Sequence, residues 1–469
     1  MAAGTPSENG QQEVLRPEPV KRPGRLIGWM RALSGVISRL HPSKFVLFGY
    51  LSYVLIGWGL LCLPFAQKGP GVGALDNLFI ATSAVSTTGL ATVSISDSYN
   101  FFGQLVVLGL IQLGGIGYMT LGSFLILARK SDLSPMRMSV GQSVFSLPPT
   151  FRLADFIRGV IWFTLAIEAA GAVVLYFIFR QAGVDAPLWN AVFHSISAFC
   201  TAGFGLHNNS FESFTGNTGL NMAIAALSYM GAVGFIVFMD MWRMLRGKVK
   251  HVTLTTRIIL AGTFWLTVAG TALLFVFEPT VQAMASGPRL MASFFQCMTA
   301  ITTVGFNTIS IAELSKASVL LIVVLMVIGS SPSGTGGGVK VTTLSAVLGT
   351  MRSSLRGDSQ VRFWERTIPY ERIMIAFASL GFYILALVIG GYLLEMTETT
   401  PFEMNLFEAA SALGTVGLSM GITAGLSTLG KVIIMSLMFC GRVGPLTFGS
   451  AIMGRLSAQP VKPDGDLAV

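Results

Sequence analysis

The chain alternates long and short apolar segments, and their order recurs four times. A long segment, sufficient to cross a hydrocarbon layer of roughly 30 Å as a helix, opens each unit: Phe45–Phe65, Phe156–Phe179, Ile258–Phe277 and Ile373–Leu394. An apolar segment too short to span follows: Leu75–Val85, Pro187–Phe199, Pro288–Ile301 and Pro401–Leu413. A second long segment closes the unit: Phe102–Ala128, Leu220–Leu245, Val319–Met351 and Val432–Met453.

This pattern predicts an all-α polytopic membrane protein built from four tandem, parallel units. Each unit is a span, a re-entrant half-helix, an extended loop and a second span, which makes eight transmembrane helices and four half-helices. Proline or aspartate opens each half-helix, as is common in a first helical turn: Asp76, Pro187, Pro288 and Pro401. We call the units quarters 1 to 4, and they cover residues 45–128, 154–245, 255–351 and 371–453, between tails 1–44 and 454–469.

Each short segment leads into a glycine that serves as a reference point: Gly89, Gly203, Gly305 and Gly417. Ten residues before it stands phenylalanine: Phe79, Phe193, Phe295 and Phe407. Five before it stands alanine, two before it threonine, and one after it a large apolar residue (Ala84, Ala198, Ala300, Ala412; Thr87, Thr201, Thr303, Thr415; Leu90, Phe204, Phe306, Leu418). Such fixed offsets indicate one structural module used four times.

Composition supports a membrane location. Hydrophobic residues make up 52% of the chain and charged residues 11%, and the mean hydropathy is +0.68. The net charge of +9 does not indicate a nucleic-acid partner, because Lys and Arg concentrate in residues 1–44 and in every second connection. This positive-inside pattern predicts that both termini are cytoplasmic. The cysteines Cys62, Cys200, Cys297 and Cys440 show no spacing typical of a disulfide framework or a metal site.

The glycine loops favour a cation pore. Backbone that is not helical cannot face lipid, so loops at membrane depth line water or bind something. Glycine tolerates positive φ and allows close approach, rings of backbone carbonyls replace the hydration shell of potassium, and the carbonyl ends of the half-helices favour a cation. The predicted ion-binding filter comprises Ser86, Thr87, Thr88, Gly89, Cys200, Thr201, Ala202, Gly203, Thr302, Thr303, Val304, Gly305, Gly414, Thr415, Val416 and Gly417. A single Thr-x-Gly would instead indicate tight helix packing.

With four such units in one chain, the sequence resembles the Trk/Ktr/HKT superfamily of potassium transporters across about residues 45–453. The resemblance rests on the four filter contexts, on Gly329–Lys340 and on Gly441–Thr447. Eight spans make it most similar to the Ktr-type membrane subunit, since the Trk type typically carries two more. Glycine in all four filters goes with potassium preference in this family, whereas the plant sodium-transporting members have serine in the first.

The resemblance also implies partners and a location. Members of this kind are homodimers in the prokaryotic inner or plasma membrane, seated on a cytosolic ring of nucleotide-binding regulatory subunits that binds ATP or ADP, and sodium stimulates uptake. The alternatives are a Trk-type or sodium-permeable relative, an ion-coupled secondary transporter, or a membrane-embedded enzyme. Parallel repeats argue against the inverted repeats of many secondary transporters, and no catalytic constellation supports an enzyme.

The second span of quarter 3 is interrupted in the middle, because proline and several glycines weaken the helix there. The family's intramembrane gate corresponds to this stretch, which comprises Gly329, Ser330, Ser331, Pro332, Ser333, Gly334, Thr335, Gly336, Gly337 and Gly338, with Lys340 after it. Weaker breaks are expected at Gly114–Gly117 and Gly231–Gly234. The alternatives are a glycine kink that serves packing alone and a phosphate-binding loop, which would need a preceding strand.

Arg442 is an arginine inside a predicted span, where a charge is expensive and faces protein or water. We expect it on the cytoplasmic side of the pore, opposite the gate loop, as an electrostatic barrier or a gate partner; the alternative is an arginine that snorkels to the interface. No transport role is expected for Glu168, His194, Asp240 or Glu408. Asn307 is expected to hold the third filter loop by side-chain hydrogen bonds.

Overall fold

A computed structural model describes residues 1, 42–69, 71–117, 153–358, 360–364, 366–444 and 447–449. Most of both predicted tails, the end of the second span of quarter 1 (118–128), most of the basic connection after it and the last residues of quarter 4 (450–453) lie outside the described residues. The described chain is mostly helical, which agrees with the expected class.

The helices of more than one turn are labelled α1 to α14 in chain order. Quarter 1 contributes α1 Pro42–Leu61, α2 Ala74–Ser86 and α3 Phe101–Ile116. Quarter 2 contributes α4 Leu153–Gln181, α5 Pro187–Phe199, α6 Thr218–Val233 and α7 Phe235–Leu245. Quarter 3 contributes α8 Leu254–Phe277, α9 Ser286–Thr302, α10 Lys316–Ile328 and α11 Val341–Arg356. Quarter 4 contributes α12 Tyr370–Thr397, α13 Phe402–Gly414 and α14 Thr428–Val443.

Small elements complete the described chain. Single-turn helices cover Ile95–Ser98 and Pro279–Gln282. Strand β1 (Arg362–Phe363) pairs antiparallel with β2 (Arg366–Thr367) between α11 and α12, with Arg362 opposite Thr367. Among the described residues, the two-stranded hairpin thus lies in the connection between quarters 3 and 4.

Helix length tests the predicted spans only in part. Within the described ranges, Ile157–Gln181, Leu254–Phe277 and Tyr370–Thr397 are long and apolar enough to cross a membrane. The pair α6 and α7 makes a fourth if it is taken as one span bent by 90°. Other apolar helices, such as α3 and α10, are shorter than a full crossing. Eight spans therefore stay a prediction, because the second long segment of each quarter is not one continuous helix.

The shortening has a common backbone cause. Helices α3, α6 and α14 end at glycines with nearly identical left-handed torsions: Gly117 (φ 90°, ψ 138°), Gly234 (φ 94°, ψ 146°) and Gly444 (φ 93°, ψ 126°). In quarter 3 the same torsions occur at Lys340 (φ 87°, ψ 133°), directly before α11. All four second segments are thus interrupted, including those of quarters 1, 2 and 3 where breaks were expected, and each interruption has a residue of positive φ.

The four short helices α2, α5, α9 and α13 occupy equivalent places in a cycle. Each packs on the first and second long helices of its own quarter, and each also packs on the second long helix of the quarter before it. For α5 that neighbour is α3, and for α2 it is α14, so quarter 4 closes on quarter 1. The recurring phenylalanines are completely buried in these contacts, as are the recurring alanines: Phe79, Phe193, Phe295, Phe407; Ala84, Ala198, Ala300, Ala412.

Polar contacts link the quarters in the same cyclic order. Quarter 2 donates from Asn208 Nδ2 to Asp97 Oδ2 of quarter 1 over 2.8 Å, and hydrogen bonds from Asn208 and Ser94 lower the pKa of Asp97. Polar contacts at the three remaining junctions include Asn307 Nδ2 to Glu212 Oε1 at 2.7 Å, Lys316 Nζ to Glu403 Oε1 at 3.0 Å, and Lys431 Nζ to Asp76 Oδ1 at 2.7 Å. Each junction between neighbouring quarters therefore carries a polar link.

Candidate ion filter and gate

Each short helix ends in a sharp backbone reversal at its threonine. Thr87, Thr201, Thr303 and Thr415 have φ of 52°, 50°, 57° and 48°, respectively. A β-branched residue rarely adopts the left-handed region, and such strain persists only where the surroundings enforce it. The amide after each threonine folds back on the helix, as in the 2.8 Å bond from Val416 N to Ser411 O. The threonines therefore turn the chain out of the helix and into the extended loop.

The four loops meet in a closed ring. The reference glycines all have positive φ, between 66° at Gly203 and 97° at Gly89. A Cβ atom on any one of them would collide with a backbone carbonyl oxygen of the next quarter, and the contacts run Gly89 to Ala202, Gly203 to Val304, Gly305 to Val416 and Gly417 to Thr88. The residues just before the glycines are fully buried: Thr88, Ala202, Val304 and Val416. Glycine is therefore required here both by its torsion and by the close approach of the neighbouring loop.

A hydroxyl group behind each loop was not singled out from the sequence, although it too stands at a fixed offset. Six residues before each reference glycine the chain has Ser83, Ser197, Thr299 or Ser411, all completely buried. Ser83 Oγ accepts from Gly89 N over 3.1 Å, and Ser411 Oγ accepts from Gly417 N over 3.0 Å. The hydroxyls of Ser197 and Thr299 have no hydrogen-bond partner among the described atoms. In quarters 1 and 4 the serine hydroxyl thus holds the amide of the reference glycine in place.

The second loop rests on a buried polar group from α4. Glu168 Oε2 accepts from Gln112 Nε2 over 3.0 Å, and Glu168 Oε1 lies 3.6 Å from the thiol of Cys200. Its backbone carbonyl accepts from Ser195 Oγ over 2.7 Å. Glu168 therefore supports the base of the second loop.

The predicted gate segment is an insert within a continuing hydrogen-bond pattern. Lys340 N donates to Ile328 O over 2.9 Å, just as Gly444 N donates to Cys440 O over 3.1 Å in quarter 4. Val339 N likewise donates to Val327 O. Residues 331–338 therefore loop out between two residues, Ser330 and Val339, that would otherwise be neighbours. We call residues 331–338 the insert loop.

The insert loop reaches toward the filter and touches it in more than one quarter. Thr335 N donates to Gly231 O, and the hydroxyls of Thr335 and Thr201 lie 3.1 Å apart. Gly337 N donates to Thr303 Oγ1 over 3.0 Å. A Cβ on Gly337 would also collide with Gly414 O of quarter 4. Hydroxyls of two filter threonines, from quarters 2 and 3, are thus engaged directly by the loop.

Two cations hold the loop in this position. Lys340 Nζ donates back into the loop, to Gly336 O at 2.5 Å and Gly337 O at 3.1 Å. Arg442 Nη1 donates to Thr335 O and, over 2.9 Å, to Thr87 Oγ1, the filter threonine of quarter 1. Its Nη2 donates to Gly114 O. The guanidinium of Arg442 thus contacts the insert loop and is bonded within the protein.

The remaining sequence candidates have structural contacts. His194 Nδ1 lies 2.8 Å from Asn190 O, and its Nε2 accepts from Leu206 N. Asp240 Oδ2 accepts from the N-terminal residues of α8, and Glu408 Oε1 accepts from Ser419 Oγ and Thr423 Oγ1. Asn307 Nδ2 donates to Ile309 O within its own loop, as expected, as well as to Glu212.

Comparison with known proteins gives a consistent result. The family model described as "TrkH: Cation transport protein" matches residues 59–452. Ktr system potassium uptake protein B of Bacillus subtilis (strain 168) is 32% identical over 434 residues, covering 92% of this chain and 97% of that protein. Potassium/sodium uptake protein NtpJ of Enterococcus hirae is 34% identical over 425 residues, covering 88% and 93%.

Among solved structures, the potassium transporter TrkH from Vibrio parahaemolyticus is similar, with a TM-score of 0.68. The match covers 87% of this chain and 85% of the other at 20% sequence identity. At that identity the likeness concerns the fold.

Proposed function

The chain belongs to the TrkH family of cation transport proteins, and we propose that it takes up potassium ions across a membrane through the ring formed by its four glycine loops. The observation that carries the proposal is the closed cycle of contacts from Gly89 through Gly203 and Gly305 to Gly417 and back to quarter 1. Two relatives that cover most of this chain have potassium uptake in their names. Because it is a multi-pass membrane protein of a transporter family, we infer that it does not act as an enzyme.

In the proposed filter, backbone carbonyls of the residues around each glycine replace the hydration shell of the ion. The left-handed threonines support this role, because they end the helices α2, α5, α9 and α13 beside the ring. The carbonyl end of a helix carries partial negative charge, which favours a cation there. Selection then comes from the four loops acting together.

In the proposed gate, the insert loop obstructs the path beside the filter threonines and must move for ions to pass. Its direct bond to Thr303 and its contact with Thr201 support this arrangement. Arg442 and Lys340 hold the loop through donors to its carbonyl oxygens. Transport is then controlled by the loop while the filter stays intact.

The relatives also suggest the setting in which the protein works. The name of the Bacillus subtilis relative describes a component of a system, which supports an assembly of several subunits. We infer a homodimer that works with a cytosolic, nucleotide-binding regulatory ring. We place the protein in a prokaryotic inner membrane with both termini cytoplasmic. Any ATP or ADP acts on the regulatory partner. Sodium is a second candidate ion or activator, because the name of the Enterococcus hirae relative includes it.

The test is growth of a potassium-uptake-deficient bacterium at low external potassium, with and without a regulatory subunit of the Ktr type. We expect the wild type to restore growth and Gly305→Val to fail, because a side chain there would collide with Val416 O. Gly247→Val is the matched control: that glycine also has positive φ, but a Cβ there meets no neighbouring atom. Failure of the wild type under both conditions would contradict the proposal.

The gate is tested by joining Ser330 directly to Val339. The bonds from Val339 N to Val327 O and from Lys340 N to Ile328 O have the pattern expected if Ser330 and Val339 were adjacent in the chain. We therefore expect the shortened protein to fold. Its potassium flux should exceed that of the wild type and depend less on the regulatory subunit. Thr335→Ala, which keeps the loop length and removes one hydroxyl, should have a smaller effect. A folded, shortened protein with wild-type flux would refute the gate.

A further inference from the structure

Helix α7 turns away from the path of the helix before it. It begins directly after Gly234 and is bent by 90° relative to α6. It packs against α4 and α8, both long and apolar enough to span a membrane. A helix bent by 90° from a helix that crosses a membrane has the orientation of an interfacial helix, which lies in the plane of the membrane surface.

The inner face of α7 is fixed to the first turn of α8. Asp240 is 1% exposed, and its Oδ2 accepts from Thr253 N at 2.6 Å and from Thr256 Oγ1 at 2.8 Å. Thr253 caps the N-terminus of α8. This arrangement holds α7 at the level where a predicted span begins, on the side that the distribution of Lys and Arg assigns to the cytoplasm.

The outer face of α7 combines apolar and basic side chains. Trp242 is 52% exposed and Leu245 is 75% exposed. The guanidinium of Arg246 stacks 4.4 Å from the centre of the Trp242 ring. Lys248 and Lys250 follow, both exposed. The sequence has no acidic residue from Met241 to Phe277, so the charge on this face is of one sign.

We propose that this outer face binds anionic phospholipid headgroups of the cytoplasmic leaflet. Trp242 and Leu245 enter the boundary between headgroups and acyl chains, where aromatic residues of membrane proteins concentrate. Arg246, Lys248 and Lys250 bind the phosphates, and Arg and Lys near an anionic leaflet contribute about 1 kcal/mol each, or about fivefold in affinity per residue.

A lipid fits this surface better than an acidic protein does. Helix α7 packs against α8, which itself exposes Phe264 and Trp265 to its surroundings. Exposed apolar side chains are therefore present on both of these packed helices. A soluble partner on α7 would leave this junction uncovered, whereas a bilayer covers both at once.

Lipid bound at α7 has a route to the gate, a consequence that rests on the proposed function. Phe235 N donates to Ser333 O over 3.2 Å, and Ile236 N donates to Ser333 Oγ over 3.3 Å. The first two amides of α7 therefore hold the insert loop. A leaflet that fixes α7 favours the loop position seen here, so potassium flux should be slower in vesicles that contain anionic lipid.

The binding test uses tryptophan quenching by lipids brominated on their acyl chains. The full-length protein is reconstituted in vesicles of phosphatidylcholine, alone or mixed with phosphatidylglycerol, with the bromine on one lipid at a time. The signal of Trp242 is the difference between wild type and Trp242→Phe. We expect brominated phosphatidylglycerol to quench this signal more than brominated phosphatidylcholine at the same mole fraction. Equal quenching, or none, would overturn the proposal.

The charge test compares two triple variants by native mass spectrometry of retained lipid. Replacing Arg246, Lys248 and Lys250 by Gln should weaken phosphatidylglycerol retention by about a hundredfold, and inorganic phosphate should not displace the lipid from wild type. The matched control replaces Arg352, Arg356 and Arg362, exposed arginines of α11 and β1, and should retain lipid as wild type does. Equal loss in both triples, or displacement by phosphate, would overturn the assignment to α7.

Flux measurements in the same vesicles distinguish an effect of bound lipid on the gate from the proposed potassium transport itself. Faster flux in phosphatidylcholine alone than in the mixture, with the difference abolished in the α7 triple variant, supports the route to the gate. Wild-type flux that is equal in both lipids would refute that route. Absence of wild-type flux in every lipid would instead refute the proposed function and leave the quenching result standing.

Discussion

Removal of the Arg442 side chain should release the insert loop, the proposed gate, and leave the proposed filter intact. Its guanidinium joins the carbonyl of Thr335 in the insert loop to the hydroxyl of Thr87 and to Gly114 O at the end of α3. Arg442→Gln removes the charge and the bridging geometry. Arg442→Lys keeps the charge but has a compact donor that cannot reach the same set of acceptors together.

The size of the expected increase in potassium flux follows from the hydrogen bond between Arg442 and Thr335 O of the insert loop. A hydrogen bond with a charged partner contributes about 1.5–3 kcal/mol, and the bond between Arg442 and Thr335 O is lost whenever the loop leaves. Its removal should shift the ratio of held to released loop by about 10-fold to 100-fold toward release. The gain in flux approaches this factor only if the loop is mostly held in the wild type.

The assay is potassium flux into vesicles, together with single-molecule conductance, for wild type and the Gln, Lys and Ala variants of Arg442. If Arg442 acts as an electrostatic barrier, the Lys variant should resemble wild type, whereas Gln and Ala should conduct more. If it acts by holding the loop, all three should exceed wild type. Arg289→Gln is the matched control, since Arg289 also donates to a backbone carbonyl, that of Phe275, away from the filter.

A folded Arg442→Ala protein whose selectivity, affinity and rate equal those of wild type would refute this role of Arg442. Higher flux in the Arg289 control would also contradict it, because that change touches neither the loop nor the filter. Thermal unfolding of each purified variant distinguishes a functional effect from a loss of structure.

Three further changes test the filter support, the closure of the ring and the strained lysine. Ser411→Ala should leave the partly buried amide of Gly417 unpaired, destabilise its loop by about 1–3 kcal/mol and relax potassium over sodium selectivity in flux assays. Ser197→Ala should have neither effect, because the Ser197 hydroxyl has no hydrogen-bond partner among the described atoms. Lys431→Met should lower the free energy of unfolding by about 1–2 kcal/mol, because its partly buried pair closes the cycle; Lys316→Met, 86% exposed, should change it little. Lys340→Gly should raise flux without lowering the melting temperature, since glycine relieves a positive φ. Selectivity unchanged in Ser411→Ala, equal destabilisation by both lysine changes, or wild-type flux in Lys340→Gly would each contradict the corresponding argument.

The short helices could be predicted closely from the sequence. Helix α5 has the predicted bounds, and α9 begins two residues before the predicted Pro288. Pro401 lies just before α13 as its cap. The pattern works because the Phe and Ala at fixed offsets are completely buried in equivalent contacts, so burial fixes both the type and the position of the residue.

The second long segments could not be predicted as well. Glycines within an apolar run indicate where a helix can break but not by how much, so the break at Gly231–Gly234 was predicted and its 90° angle was not. The same torsion at Lys340 was even less accessible, because a lysine gives no local signal for positive φ. The positive φ of Lys340 is enforced by tertiary contacts of the insert loop. These contacts join residues more than a hundred positions apart, as between Thr335 Oγ1 and Phe199 O.

The insert loop has a consequence for the kinetics of opening. A pore assembled from four identical subunits carries four copies of any gate, and their movements can be concerted or stepwise. In this chain the equivalent of residues 331–338 is absent between Gly115 and Ile116, between Ala232 and Val233, and between Arg442 and Val443. With the insert loop as the proposed gate, the barrier lies in one segment, and we expect each pore to switch in one all-or-none step without intermediate conductance levels.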